Sequence, residues 1–332
     1  MLTRRSALAA GLVCALATPA FAQTEINIAT VSTTSDDYAL AVAWSNVLAR
    51  EGQFRMVPDG GSGTVRGLRS LAQGRIQMSP IGAPHFADAL AGAGSFAEDP
   101  ASLVAEYANL RALFAIPTGM AQYVTRADSD VHSFENLRGR RMAIGRPGGN
   151  AGRVTTYLFA AHDLDIEGGD VQGEYIDFGP ALDELADRRL DAALVWGGVP
   201  QAGVFNLSRS TPVRFLSPDP ANLEAFQARI SNGEFYVFRE VSPEILRAQY
   251  GDGVVADGPM FAWTFPMMMV VHKDMADDDA YALTRAMWDN VDEIRATSDQ
   301  LTLLDIATAT EALSAELHPG AARFFREHGL IQ

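Results

Sequence analysis

The feature that most constrains the fold of this chain is an alternation of short apolar runs with helical patterns. Residues 26–29, 54–57 and 110–116 have the composition and length of buried strands, and segments with apolar residues at helical spacing lie between such runs. Strands that alternate with helices are typical of parallel sheets with crossover helices. The sequence therefore predicts an α/β fold built on parallel sheets.

Polar or glycine-rich loops follow four of the predicted strands. In open α/β sheets, ligands bind outside the carboxyl ends of the strands. We therefore expect these loops to converge on one cleft. The loops comprise residues 30–37, 59–64, 145–152 and 197–200.

The loop at 145–152 has the clearest chemistry of the four. It contains Gly149 and Asn150 and precedes a helical pattern that begins near Arg153. Free backbone N–H groups at a helix start, together with the helix dipole, suit an anion, and Arg146 and Arg153 add positive charge. The alternative is that the glycines only form a tight turn, because no Gly-Lys-Ser/Thr follows as it would in a P-loop.

Two predicted strands carry the chain between two units. The strand that begins at residue 122 leads into a second unit, and the apolar strand at 265–272 returns to the first. Two such crossings predict a hinge with a cleft between the lobes. The predicted organisation is a signal peptide at 1–22, lobe I at 23–120 plus 265–332, and lobe II at 121–264.

The first 22 residues have the features of a cleavable secretory signal. Arg4 and Arg5 precede an apolar run, and Ala20-Phe21-Ala22 forms a small-x-small cleavage site. The pattern fits Sec export and also allows twin-arginine export. We therefore expect a periplasmic protein without a transmembrane helix in its mature part.

Composition argues against several function classes. The single cysteine, Cys14, lies inside the predicted signal, so the mature chain is expected to lack disulfides, thiolate nucleophiles and zinc–thiolate sites. A formal net charge of −15 disfavours nucleic acid as a partner. There is no GxSxG motif, and the histidines lack metal-ligand spacing. The sequence predicts no enzyme activity, no metal and no cofactor.

Three segments resemble the TAXI family of TRAP-transporter solute-binding proteins. They are LRALFAIPTGMAQYVTRADSDVHSFENLRGRRMAIGRPGG, ALDELADRRLDAALVWGGVPQAGVFNL and the closing LHPGAARFFREHG. The resemblance implies a two-lobed type II periplasmic binding protein fold that closes over a small organic acid or amino acid, such as glutamate or 2-oxoglutarate. It also implies delivery of an anionic or zwitterionic ligand to TRAP membrane subunits. The alternative is a receptor of similar fold that serves an ABC importer or a sensor.

The chain departs from that family at three loops. Only Tyr38 matches the aromatic pair expected after the first loop, and residues 82–85 replace the usual Gln-Ser-Asp. Gly149, Asn150 and Ala151 stand where the family has hydroxyl side chains. The fold and the transport role survive these departures, whereas the identity of the ligand is left open.

Each candidate binding residue has a structural alternative. Asp36 and Asp37 either cap a helix, or one of them accepts hydrogen bonds from a ligand ammonium group. Thr33, Thr34 and Ser35 are carboxylate donors or ordinary loop hydroxyls.

The remaining candidates lie on later loops. Thr64 is expected to cap the helix that follows and can still present its N–H to the cleft. His85 is a ligand contact or a structural histidine. Trp196 packs in the core or forms part of a cleft wall. Gln122 forms hydrogen bonds to the ligand or within the hinge. Arg153 binds a ligand carboxylate or faces solvent. The predicted ligand-binding residues are Thr33, Thr34, Ser35, Asp36, Tyr38, Thr64, His85, Gln122, Gly149, Asn150, Arg153, Trp196, Gly197 and Gly198.

Overall fold

The computed structural model describes residues 23–298, 301 and 303–332. The predicted signal peptide lies outside these residues. The described chain forms two mixed sheets covered by helices, which confirms the predicted α/β class. Within this part of the chain, no helix combines the length and apolar character needed to span a bilayer.

The first sheet has five strands. They are β1 (Thr24–Ala29), β2 (Phe54–Asp59), β3 (Met78–Gly82), β4 (Leu110–Ile116) and β13 (Met267–His272). Their spatial order is β2-β1-β3-β13-β4.

The second sheet has six strands. They are β5 (Met120–Arg126), β6 (Arg141–Ala143), β7 (Gln172–Glu174), β8 (Ala192–Gly197), β9 (Val213–Leu216) and β11 (Val254–Val255). Their order is β11-β9-β5-β8-β6-β7. A separate antiparallel pair joins β10 (Val237–Val241) to β12 (Met260–Thr264).

Helices connect and cover the strands. They are α1 (Asp36–Glu51), α2 (Thr64–Ala72), α3 (Ala83–Ala91), α4 (Ala101–Tyr107), α5 (Asn150–Ala160), α6 (Phe178–Ala186), α7 (Ala202–Ser208), α8 (Leu223–Gln227), α9 (Pro243–Tyr250), α10 (Asp277–Asp289), α11 (Val291–Arg295) and α12 (Pro319–Glu327).

The prediction that both sheets are parallel is wrong for the strands next to the crossings. In the first sheet β13 runs antiparallel to β3 and β4, and in the second sheet β5 runs antiparallel to β8 and β9. The reason lies in the connections. Strand β4 continues through residues 117–119 into β5, and β12 continues through 265–266 into β13. Each crossing strand therefore enters its sheet from the opposite end to its neighbours.

Strand β13 lies between β3 and β4 in the first sheet. Residues 267–271 are all buried, as expected for a strand covered on both faces. In the neighbouring strand β4, Phe114 contacts Trp44 of α1 and Trp288 of α10, with ring centroids 5.6 and 5.5 Å apart. These contacts hold two helices against the same strand.

Several helix boundaries differ from the sequence prediction. The sequence pattern predicts a short helix at 133–139, where the structure has a single 3-10 turn, Glu135–Leu137. It also predicts one helix at 280–296, which the structure divides into α10 and α11 at Asn290. Helices α3 and α4 were not predicted. Pro84 lies in the first turn of α3, where its missing N–H costs no hydrogen bond.

The closing motif near residue 318 is a helix start packed against α10. His318 is the N-cap of α12 and accepts a hydrogen bond from the N–H of Gly320 through Nδ1, at 3.2 Å. A Cβ at Gly320 would lie 2.0 Å from the backbone oxygen of Asp277. The motif therefore needs glycine so that α12 can approach the start of α10.

Gly320→Ala is expected to destabilise the protein. The added methyl group meets backbone rather than a flexible side chain, and overpacking of this kind costs about 1–3 kcal/mol. Thermal unfolding of the purified variant measures the effect as a lower Tm. Gly258→Ala is the matched control, because nothing lies within 4 Å of a Cβ at that site. Equal Tm values for the two variants would contradict the close helix approach.

Candidate ligand-binding cleft

A cavity of about 70 Å³ lies where residues from both sheets meet, and we call it the cleft. The register places it at strand ends: Met267 pairs with Gly82 and Ile116, and Met120 pairs with Gly197. The carboxyl ends of β3, β4 and β8 therefore meet the amino ends of the two crossing strands here. The cleft is lined by Val31, Gly63, Thr64, His85, Arg146, Gly149, Asn150, Ala151, Asp177, Phe178, Trp196, Trp263, Phe265 and Met267.

Two helix N-termini face the cleft. Gly63 and Gly149 are the N-caps of α2 and α5, and neither helix has a side-chain cap among the described residues. The first N–H groups of a helix have no intrahelical partner and carry a partial positive charge. Gly145 and Gly148 of the β6–α5 loop have φ values of 92° and 67°, which favour glycine. The glycine-rich loop thus forms a tight turn and also faces the cavity.

Arg146 is the cation on the cleft wall. Its Nη2 lies 2.6 Å from Oδ2 of Asp177, the N-cap residue of α6. The guanidinium also donates to the backbone oxygens of Gly60 and Gly61, in the loop after β2. Arg146 therefore joins three loops that come from both sheets.

Arg153 is part of a buried ion pair and does not line the cleft. Its Nη2 lies 3.1 Å from Oδ2 of Asp88, whose side chain is 1% exposed. Asn232 donates to the other oxygen of Asp88 at 2.7 Å, and Arg153 also donates to Oδ1 of Asn150 at 2.9 Å. A buried carboxylate needs such partners, because an unpaired buried charge is strongly destabilising. Arg153 therefore binds a carboxylate of the protein itself, Asp88 of α3, rather than a ligand carboxylate.

His85 is a buried polar group on an otherwise aromatic wall. Its ring lies edge-on to Phe265 at 4.8 Å, and Phe265 stacks on Trp196 at 5.1 Å. Neither ring nitrogen of His85 has a hydrogen-bond partner among the described residues. Burial, with a smaller effect from the Arg153 charge, lowers the pKa of His85 to about 3. The imidazole is therefore neutral.

Of the loop at 30–37, Val31 lines the cleft, and the predicted binding residues of this loop do not. Ser35 donates through Oγ to the backbone oxygen of Ser32 at 2.6 Å, so its hydroxyl shapes the loop. Thr34 accepts a hydrogen bond at its backbone oxygen from Nε2 of Gln201, at 3.0 Å. This contact links the first loop to the segment after β8.

Thr33 and Tyr38 contact the next loop rather than the cavity. The Thr33 side chain is exposed, and a Cβ at Gly60 would lie 2.5 Å from its methyl carbon. The ring of Tyr38 comes within 3.1 Å of the same point. Gly60 therefore allows both side chains to pack across the loop after β2.

Asp36 and Asp37 form a buried acidic pair at the start of α1. Asp37 accepts a hydrogen bond from the N–H of Val31 at 2.7 Å, while Asp36 borders a separate small cavity beside Leu301 and Leu304. Burial, followed by repulsion from Asp37, raises the pKa of Asp36 to about 7. Neither carboxyl is among the cleft-lining groups that would face a ligand ammonium.

Gln122 belongs to the crossing strand β5 and is fully buried. Its Nε2 donates to the backbone oxygens of Gly197 and Gly198, at 3.0 and 2.7 Å, and its Oε1 accepts from the Tyr250 hydroxyl at 3.2 Å. Both the nitrogen and the oxygen of the Gln122 amide thus form hydrogen bonds within the protein. Of the predicted site residues, the structure brings five together on the cleft wall: Thr64, His85, Gly149, Asn150 and Trp196.

A family model described as NMT1-like matches residues 28–329, almost the whole described chain. The chain belongs to the NMT1-like family. A binding protein component of an ABC phosphonate transporter from Pseudomonas aeruginosa is similar in structure, with a TM-score of 0.50 and 12% identity over 84% of this chain and 80% of the other. This likeness shows that the NMT1-like chain shares a periplasmic binding protein fold.

Two further solved structures are similar at lower scores. The aliphatic sulphonate binding protein SsuA from Escherichia coli has a TM-score of 0.46 and 13% identity, covering 93% of this chain and 89% of that protein. A TRAP periplasmic solute-binding protein from Shewanella oneidensis with bound succinate has a TM-score of 0.47 and 11% identity, covering 94% and 87%.

Several wall residues of this NMT1-like chain were missed by the sequence analysis. Arg146 was predicted to add positive charge for an anion, but it was not among the predicted ligand-binding residues. Asp177 precedes a helix and is hard to distinguish from an ordinary cap. The aromatic residues had no local signal, because their position follows from the crossing strands. The missed residues are Val31, Gly63, Arg146, Ala151, Asp177, Phe178, Trp263, Phe265 and Met267.

Asp36→Asn is expected to stabilise the protein relative to the wild type more at pH 8 than at pH 5. The folded-state pKa of about 7 lies above the ordinary value of 3.8, so the favourable contribution of Asp36 is present at low pH and lost as the pH rises toward 7. The variant lacks this loss. Between pH 5 and 8 the difference in unfolding free energy should change by on the order of 2 kcal/mol.

Thermal unfolding at the two pH values measures this change. Asp128→Asn is the control, because hydrogen bonds from Arg126 and Arg188 lower the pKa of Asp128 to about 2. That carboxylate stays ionised at both pH values, so its variant should show the same Tm difference at each. A pH-independent effect of Asp36→Asn would show that its carboxyl is not perturbed by burial.

Proposed function

We propose that this protein is a periplasmic solute-binding receptor that captures a small organic anion in the cleft and delivers it to membrane permease subunits. One observation carries the proposal. The N-termini of α2 and α5 and the guanidinium of Arg146 border one aromatic-walled cavity that residues of both sheets line. Helix N-termini and arginine are the groups that proteins use to bind carboxylates. Membership of the NMT1-like family and the shared fold agree with this role.

A hinge at the two crossings would let the protein open and close. The connections at 117–119 and 265–266 are short and adjacent, because β4 and β13 are neighbours in the first sheet. Lobe I at 23–120 plus 265–332 would then rotate against lobe II at 121–264. Hinge closure around a ligand is a common device in binding proteins of this kind.

The motifs of the chain favour a TRAP transporter of the TAXI type as the destination of the ligand. In the structure, the backbone oxygens of Gly197 and Gly198 in the Gly-Gly-Val-Pro segment accept hydrogen bonds from Gln122 of the crossing strand β5. Export through the predicted signal at 1–22 would place the mature receptor in the periplasm. Co-purification of the receptor with a large multi-span permease, rather than with an ATPase-coupled one, tests the transporter type.

Arg146→Gln is expected to weaken binding of a carboxylate ligand by about tenfold to a hundredfold. A hydrogen bond to a charged group contributes about 1.5–3 kcal/mol, and each 1.4 kcal/mol is a factor of ten in Kd. A thermal-shift panel of organic acids and amino acids first identifies the acid that stabilises the wild type most. Calorimetric titration of that acid into both proteins then gives the ratio of Kd values.

The matched control is Arg55→Gln. Arg55 is 65% exposed on its side chain and pairs with Glu25 at 2.8 Å, at the end of the first sheet opposite the cleft. Its variant changes the net charge equally and should bind as the wild type does. No stabilisation of the wild type by any member of the panel would contradict the receptor function. Unchanged affinity in Arg146→Gln would contradict the role of Arg146.

A further inference from the structure

The charges on the cleft wall limit the ligand to one carboxylate. Among the described residues that line the cleft, Arg146 is the one cation, and it already pairs with Asp177. The positive charge of Arg153 is balanced by the buried Asp88, outside the wall. A second carboxylate would therefore enter an aromatic cavity without a counter-charge, which is unfavourable in a low-dielectric site.

The remaining wall favours an apolar body of small size. Most of the side chains that complete the cavity are apolar, and burying apolar surface against them is favourable. The cavity of about 70 Å³ is small, so the ligand has a short body. The apolar wall side chains are Val31, Phe178, Trp196, Trp263, Phe265 and Met267.

His85 adds one polar requirement to this apolar wall. It is 1% exposed, and both ring nitrogens lack a hydrogen-bond partner within the part of the chain that the structure describes. A neutral imidazole offers one donor and one acceptor. A hydroxyl or keto oxygen on the ligand satisfies this group without introducing a second charge.

We infer that the ligand is a short monocarboxylic acid with an apolar side chain and one hydroxyl or keto group, selected by Arg146 and His85 together. Its carboxylate lies at Arg146 and the N-termini of α2 and α5, its oxygen at His85, and its apolar body against Trp196 and Phe265. This inference rests on the proposed receptor function. It differs from glutamate and 2-oxoglutarate, the ligands that the family resemblance implies, because those acids carry two carboxylates.

A matched set of five-carbon acids tests the inference in the wild-type protein. Isovalerate, 2-hydroxyisovalerate, 2-oxoisovalerate and valine differ only at the second carbon, and glutamate and 2-oxoglutarate supply the second carboxylate. Calorimetric titration is expected to give Kd values for 2-hydroxyisovalerate or 2-oxoisovalerate at least tenfold below those of the other four.

The outcomes separate the inference from the proposed function. Tightest binding of glutamate, 2-oxoglutarate or valine overturns the inference and leaves the receptor function standing. Isovalerate binding as tightly as its hydroxy and oxo derivatives overturns the role of His85. Binding of none of the six acids overturns the inference, whereas the receptor function is tested by the broader thermal-shift panel.

Variants of His85 give a second readout. His85→Leu should reduce the preference for the oxygen-bearing acid over isovalerate from at least tenfold to about onefold, while isovalerate still binds. His85→Gln, which keeps a donor and an acceptor, should retain part of the preference and serves if the leucine variant does not fold. A preference that is unchanged in both variants would contradict selection by His85.

Discussion

The contacts of Arg146 are the interaction on which the rest of the cleft depends. This guanidinium joins the loop after β2 to the start of α6, and its own loop carries the N-terminus of α5. One side chain therefore links the anion-binding groups to one another. Both partners of its ion pair are about 30% exposed, at 31% and 28%. Pairs with that exposure contribute only about 0–1 kcal/mol, so a ligand carboxylate can compete for the same group.

A second set of contacts joins the two sheets behind the cleft. The Asp88–Arg153 pair and the hydrogen bond from Gln201 to the backbone oxygen of Thr34 connect residues that lie on opposite sides of the crossings. Buried pairs of this kind add little net stability, because desolvation offsets most of their attraction. In the proposed receptor, closure would thus depend on the ligand, since a ligand shifts a conformational equilibrium by its difference in affinity for the two states.

The sequence predicted the strands of the fold better than the residues that line the cleft. Strand runs such as 26–29 and 110–116 were clear, because buried strands are continuous apolar segments. The antiparallel direction of β5 and β13 was not predicted, since it follows from how the chain crosses between sheets and leaves no local pattern. The glycine-rich loop was predicted to face a cleft, and Gly149 and Asn150 do line it. Arg153 and Gln122 were candidates by position, but their polar groups are engaged by Asp88 and by the Gly197 and Gly198 carbonyls, which only the tertiary fold brings near.

The most direct test of the account is the crystal structure of the complex with the acid that stabilises the protein most in the thermal-shift panel. The account predicts that the ligand carboxylate lies within hydrogen-bond distance of Arg146 and of first-turn N–H groups of α2 and α5, with His85 bonded to an uncharged oxygen. A carboxylate bound to Arg153 instead, with the Asp88 pair broken, would contradict it, as would a ligand bound outside the cavity between the two sheets.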